Sequence, residues 1–169
     1  MMLKLELSSA LRWSLRSLRI PEKTSLSLQL SDRCRATKYP IRALRYWYVA
    51  QAICNFIDSD KPEKVNEIGI NIGEMRRFYR HHCQVEARDE LIESWDGVDV
   101  DISRAPKELY TKLFQHNLED DMALPNAGYD VVVLLHVLEH LHEPEVAFSR
   151  VCDTLAPNGV VMGGYPSTP

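Results

Sequence analysis

Residues 65–73, Val-Asn-Glu-Ile-Gly-Ile-Asn-Ile-Gly, decide how this chain is read. A short apolar run meets an acidic residue, then a turn carrying glycine at positions 69 and 73, and a helix-like segment follows. Gly69 and Gly73 can adopt backbone angles closed to other residues, and no Cβ obstructs a ligand approaching them. Asn71, between them, is the next best residue type for positive φ. A parallel strand delivers backbone amides to a nucleotide-like ligand through such a turn.

Working outward, strand candidates recur. Trp95-Asp96-Gly97-Val98-Asp99-Val100-Asp101 is a short strand ending in acids, and Lys112–Leu118 is a third candidate closing on a polar residue. Tyr129–His136 contains five consecutive apolar residues, 131–135, which suits a strand buried on both faces. Asn158–Tyr165 opens with a turn and leads into a fifth strand. Between them lie helix candidates at 74–93, 103–109 and 143–155. Strand and helix in alternation predict an α/β fold, a doubly wound, mostly parallel sheet whose ligand sits at the carboxyl ends of the strands.

Ahead of the sheet, Ala43, Tyr46, Trp47, Ala50, Ile53, Cys54 and Ile57 recur at three- and four-residue steps, predicting a helix over 42–57 with one apolar stripe. Asp58-Ser59-Asp60-Lys61-Pro62 reads as a linker. The division is therefore placed at residue 60, with a basic, helical segment over 1–60 and the sheet domain over 61–169. Charge is divided as well. Residues 1–50 carry ten Lys/Arg against three Asp/Glu, a net +7; residues 51–169 carry ten against twenty-one, a net −11. In the basic segment, Leu11, Leu15 and Leu18 share a helical face beside Arg12, Arg16 and Arg19. Four uses fit that face: folding back on the acidic domain, contact with an anionic membrane surface, binding of an anionic acceptor, or an organelle transit sequence, against which Glu6 and Glu22 count. No aromatic-and-basic interleaving supports nucleic-acid binding.

The order of motifs resembles the class I S-adenosylmethionine-dependent methyltransferases, in their small-molecule branch, over residues 60–166. The glycine turn Glu67-Ile68-Gly69-Ile70-Asn71-Ile72-Gly73 stands where the family has E-x-G-x-G-x-G, with Asn71 in place of the middle glycine. Gly97-Val98-Asp99 matches the family's G-V-D. His136-Val137-Leu138-Glu139-His140-Leu141 matches E-V-L-E-H-L, and Pro157-Asn158-Gly159 matches P-G-G. The resemblance implies a Rossmann-like methyltransferase fold and S-adenosylmethionine as cofactor. It implies contacts from the glycine turn to the aminoacyl and sugar portions, and from Asp99 to the ribose hydroxyls, with Asp101 as fallback. Asn117 and Leu118 would read the adenine edge. Glu67 would orient the turn or catch the cofactor's ammonium through water, and His136 would flank the cofactor. The acceptor implied is a small molecule or a carbohydrate- or lipid-linked one, and no catalytic residue is assigned.

Plainer readings stand beside these. Asp99 and Asp101 can simply end a strand, Asn117 can form an Asx-turn, and His136 can close a strand. Tyr46 and Trp47 fit either a core stripe or a ligand pocket, and the His136-x-x-Glu139-His140 pattern is either family sequence or metal ligands. Two other functions share the sheet: a methyltransferase-like domain that binds or assembles without catalysis, and a nicotinamide-dependent oxidoreductase. Against the latter, the usual G-x-G-x-x-G spacing is absent. The chain stops at Pro169, just past the fifth strand and before the helix and hairpin that the resemblance implies. Val160-Val161-Met162 is thereby predicted as an exposed sheet edge, inviting a homodimer or poor solubility. Cys34, Cys54, Cys83 and Cys152 form no C-x-x-C pair and read as separate reduced thiols in a cytoplasmic protein.

Overall fold

The computed structural model describes residues 40–57, 61 and 63–164. Helix α1 (Pro40–Phe56) precedes strand β1 (Glu63–Ile68), helix α2 (Glu74–Val85) and strand β2 (Ile92–Asp99). A 3-10 turn at Lys107–Leu109 leads to the short strand β3 (Leu113–Gln115). Strand β4 (Tyr129–Leu135) follows, then a second 3-10 turn at Leu138–His140, helix α3 (Pro144–Cys152) and strand β5 (Leu155–Gly164). All four strand pairings are parallel, and the sheet order is β3-β2-β1-β4-β5. The chain thus winds outward from β1 in one direction and reverses at β4, the switch point at which open α/β sheets bind ligands. This is the Rossmann-like arrangement expected from the sequence. The compact unit that carries the sheet begins at Tyr46, so most of α1 belongs to it.

Both faces of the sheet are covered. On one, Trp95 of β2 packs against Tyr79 of α2 with ring centroids 5.0 Å apart. On the other, Ile68, Val98, Val132 and Leu134 pack with Ala147 and Val151 of α3 in one apolar cluster. This is why β4 reads as an unbroken apolar run: Val131 through Leu135 are all buried, whichever face they point to. Register places Val65 beside both Trp95 and Val131, and Ile68 beside Val98 and Leu134. The carboxyl ends of the central strands therefore finish level with one another.

Helix α1 carries the predicted stripe, with Tyr46, Ala50, Ile53, Cys54 and Ile57 buried. It packs on α2, whose own buried face is Met75, Phe78, Tyr79, His82 and Cys83. Tyr46 stacks on Phe78 with centroids 5.4 Å apart, and Trp47 lies 4.7 Å from His82. That packing joins two cysteines 29 residues apart. Cys54 and Cys83 lie with their sulfurs 3.7 Å apart, both buried. Cys54, Cys83 and Cys152 are free thiols, as expected, and the contact between two of them arises only once α1 docks on α2.

Several expected boundaries move. Helix α2 stops at Val85 rather than 93: the apolar stripe ends at Cys83, and Ala87 turns the chain with φ 49°. Strand β2 starts at Ile92, three residues before the expected Trp95. The helix expected over 103–109 contracts to the 3-10 turn at Lys107–Leu109, entered from Pro106 in extended conformation. A proline there disfavours α geometry in the residue before it. Helix α3 ends at Cys152, and Leu155 already pairs with Tyr129 in the sheet. The leucine–arginine face at residues 11–19, Cys34 and linker residues 58–60 and 62 lie outside the described residues. No helix among the described residues is long and apolar enough to cross a membrane.

Candidate functional site

The turn after β1 is built as the glycines suggest. Gly69, Asn71 and Gly73 all have positive φ, at 78°, 45° and 74°. The Gly69 amide donates to the Val98 carbonyl of β2 at 2.8 Å, and the Gly73 amide donates to the Ile70 carbonyl at 2.7 Å, closing the turn at the residue that precedes α2. A Cβ at Gly73 would lie 2.7 Å from Pro106 Cγ, and one at Gly69 would collide with the Val137 side chain. Both glycines are thus fixed by backbone angle and by close neighbours together.

Asp99, at the end of β2, faces this turn. One carboxylate oxygen accepts the Asn71 amide at 2.9 Å and the other accepts the Asp101 amide at 3.1 Å. Asp101 is engaged differently. Its carboxylate accepts the Ser103 amide at 2.8 Å, and hydrogen bonds from Ser103 hold it below the usual carboxylate range. Asp99 therefore joins the glycine turn to β2, whereas Asp101 closes a local turn in exposed chain.

Glu67 lies one residue before the turn and points inward. It is 3% exposed, and a single carboxylate oxygen accepts both the Trp95 indole N–H and the Tyr110 hydroxyl, each at 3.1 Å. Burial pushes this carboxyl up to about 8, with the two hydrogen bonds opposing the shift. Glu67 is thus placed to brace the end of β1 against β2 and the segment after the first 3-10 turn.

Beyond β3, the His116 amide donates to the Asp99 carbonyl at 2.9 Å, bringing the next segment alongside. Asn117 forms an Asx-type turn: its side-chain oxygen accepts the Glu119 amide at 3.1 Å, and the Asp120 amide donates back to the Asn117 carbonyl at 3.1 Å. Leu118 is buried in the α3-side cluster. Just past β4, His136 has φ 57°, donates its amide to Gly164 of β5 at 3.1 Å, and sets Nδ1 3.3 Å from Glu139. Tyr46 of α1 reaches the same end of the sheet. Its hydroxyl donates to Glu74 at 3.3 Å, and its ring meets the His136 ring edge-on with centroids 6.5 Å apart. Trp47 instead packs against His81 and His82.

The structure thus collects the glycine turn, Asp99, the Asn117–Leu118 segment and His136 at the carboxyl ends of neighbouring strands, while Glu67 supports them from inside. Sequence reasoning missed Glu74, Tyr110, Glu119 and Arg150; His142 stood out only as one of three histidines, with His136 and His140, that could serve as a base, and here it holds the turn after β3 through Glu119. Only Glu74 carried a local signal, by following Gly73 directly. His140 is exposed, and no group of three or more His, Cys, Asp or Glu that could hold a metal occurs among the described residues.

A family model described as a methyltransferase domain matches residues 44–169. The chain belongs to that family. Solved structures agree in fold with this methyltransferase domain. The N-methyltransferase NodS from Bradyrhizobium japonicum WM9, in complex with S-adenosyl-L-homocysteine, superposes with a TM-score of 0.57 at 18% identity over 80% of this chain and 67% of its own. The CurJ carbon methyltransferase gives 0.55 at 18% identity, over 70% of this chain and 34% of its own. An S-adenosylmethionine-dependent methyltransferase from Mesorhizobium loti gives 0.50 at 16% identity, over 67% of this chain and 51% of its own. The methyltransferase domain thus spans one third to two thirds of the length of these proteins. No curated protein matches the chain by sequence.

Proposed function

We propose that this methyltransferase domain binds S-adenosylmethionine and transfers its methyl group to a small-molecule or a carbohydrate- or lipid-linked acceptor. The observation that carries the proposal is the 2.9 Å hydrogen bond from the Asn71 amide to Asp99. It sets the glycine turn and the acid after β2 side by side, as one ligand with an aminoacyl and a ribose end requires. The residues fit the group. Gly69 and Gly73 hold the positive-φ turn and set no Cβ between its backbone and a ligand. A carboxylate has about four acceptor sites, and Asp99 spends one on each of two backbone amides, which leaves acceptor capacity for two ribose hydroxyls. Asn117 and Leu118 stand where the adenine end would lie, and His136 flanks the centre.

When bound, the cofactor supplies an activated methyl group on a sulfonium sulfur. The chain's part is to hold donor and acceptor in line, and orientation of that kind is worth roughly 7–11 kcal/mol of a barrier. Glu67 acts indirectly, fixing the strand end from which the turn departs. Glu139 orients the His136 imidazole through Nδ1, which places a proton acceptor at the β4 end for an acceptor group that must lose a proton. The likeness to an N-methyltransferase and a carbon methyltransferase supports the methyl-transfer reading while leaving the acceptor class broad.

Calorimetric titration with S-adenosylmethionine and S-adenosylhomocysteine, with NAD as control, tests this. Micromolar binding of both adenosyl ligands, lost in Asp99→Ala, is expected. Binding of NAD alone overturns the proposal. Binding of the adenosyl ligands without turnover across a broad acceptor panel supports the cofactor site and replaces catalysis with a binding role.

A further inference from the structure

The turn after β3 is held in an unusual way. Leu118 anchors its first half by packing in the apolar cluster with Ala147 and Val151. The second half, Glu119-Asp120-Asp121, is exposed and carries three acids in succession. Beside it lies an open cavity of about 400 Å³, lined by Leu118 and Glu119 of the turn and by residues of α3 and its approach. Packing therefore cannot fix this half, and polar ties from α3 and its approach do so.

Arg150 of α3 supplies most of them. One guanidinium nitrogen, Nη1, donates to the Leu118 carbonyl at 3.3 Å and to the Asp120 carbonyl, and the other, Nη2, pairs with Asp121 at 3.0 Å. A guanidinium is the only side chain with enough donors in a fixed fork to hold two carbonyls and a carboxylate at once. Its charge also offsets the mutual repulsion of the three acids. A second tie comes from His142, whose amide and ring Nδ1 meet Glu119 Oε1 at 2.8 and 2.7 Å.

We infer that Arg150 is the positioning residue of the adenine-reading turn: it touches no cofactor atom itself, and it sets where Asn117 and the Leu118 backbone stand. The inference rests on the cofactor reading above. Loss of the fork releases the Leu118 carbonyl and frees Glu119 and Asp120, whose amides are hydrogen-bonded to Asn117, so the displacement reaches the residues proposed to read the base. Contacts that read a base edge tolerate little displacement, since misplacements near 1 Å cost large factors in function.

The test compares S-adenosylhomocysteine with S-inosylhomocysteine, in which hypoxanthine replaces adenine, on the full chain and on Arg150→Met, Arg150→Lys and Asp121→Asn. A site that hydrogen-bonds the adenine edge rejects the inosyl analogue by about tenfold or more. In Arg150→Met that preference is expected to collapse towards unity. Arg150→Lys, with one point charge and no fork, is expected to restore part of it. Asp121→Asn weakens one of the fork's three ties and keeps the two to backbone carbonyls, so it is expected to lower the preference by less than Arg150→Met does. A preference unchanged in Arg150→Met overturns the inference, because general destabilisation would weaken both ligands without changing their ratio. Hydrogen exchange in the free chain provides an arm that needs no ligand. Arg150→Met should speed exchange over 117–122 and leave 69–73 unchanged, and unchanged exchange over 117–122 overturns the inference. If the wild-type chain binds neither ligand, the cofactor reading fails. The exchange result then decides alone whether Arg150 holds the turn.

Discussion

The Asn71 amide and the Asp99 carboxylate are 28 residues apart in sequence and 2.9 Å apart in space, so the glycine turn and the acid proposed to hold the ribose form one hydrogen-bonded unit before any ligand arrives. Pre-organisation of this kind lowers the ordering cost of binding. It also means that Asp99 has two roles, and substitution affects both.

Asp99→Ala should therefore weaken S-adenosylhomocysteine about 10- to 100-fold, the range for losing hydrogen bonds to a charged group. The same variant should raise amide exchange over 69–73. Calorimetry and exchange measured together check this, and Asp99→Asn should fall between wild type and alanine in both.

Glu67 makes stability depend on pH in a direction opposite to that of a paired surface acid. Its carboxyl is raised by burial from 4.5 to about 8, so between those values the folded chain holds a proton that the unfolded chain has released. Stability should fall as pH rises through that window and level off above it. Glu67→Gln keeps an acceptor for Trp95 and Tyr110 without the ionisation. It should flatten the decline and raise the melting temperature at pH 8 relative to wild type, as thermal melts from pH 5 to 9 would show.

His82 works at the acid end. It is buried against Trp47 with Nδ1 lacking a hydrogen-bond partner among the described residues, and burial holds its imidazole below the usual 6.5. Below pH 6.5 the unfolded chain takes up a proton that the folded chain resists, so stability should drop as pH falls from that point. His82→Leu should remove much of this acid limb in denaturant titrations at pH 5 and pH 7. An equal pH dependence in the variant would assign the limb to other groups.

Gly73→Ala adds a Cβ 2.7 Å from Pro106 at φ 74°, and should cost about 1–3 kcal/mol by urea unfolding. Asn71→Gly is the contrasting change. It suits φ 45°, removes a side chain from the mouth of the site, and should leave stability within about 1 kcal/mol while tightening adenosyl-ligand binding.

Much of this site was legible because its signals are local. A residue that must take positive φ is usually Gly or Asn, so Gly69, Asn71 and Gly73 announced the turn, and the apolar run at 131–135 announced a strand covered on both faces. The choice between Asp99 and Asp101 rested on the resemblance of Gly97-Val98-Asp99 to a family motif, and the residues alone did not make it. Both are acids at a strand end, and only the register of β2 against β1 turns one towards Asn71 and leaves the other to cap Ser103. Arg150 reads in sequence as an ordinary charge on a helix. Its three contacts lie about 30 residues away, across a turn whose position no pattern in the sequence specifies.

Taken by itself, the sequence determined the order of strands and helices, the parallel sheet, the glycine turn and the family, since periodicity, backbone preference and motif spacing act over a few neighbouring residues. The tertiary structure decided which side chains meet: Cys54 with Cys83, Glu67 with Trp95 and Tyr110, Asp99 with Asn71, Arg150 with the turn after β3. Those partnerships depend on strand register and on the docking of α1, α2 and α3. Both are set by the packing of the whole core, and no single segment encodes them.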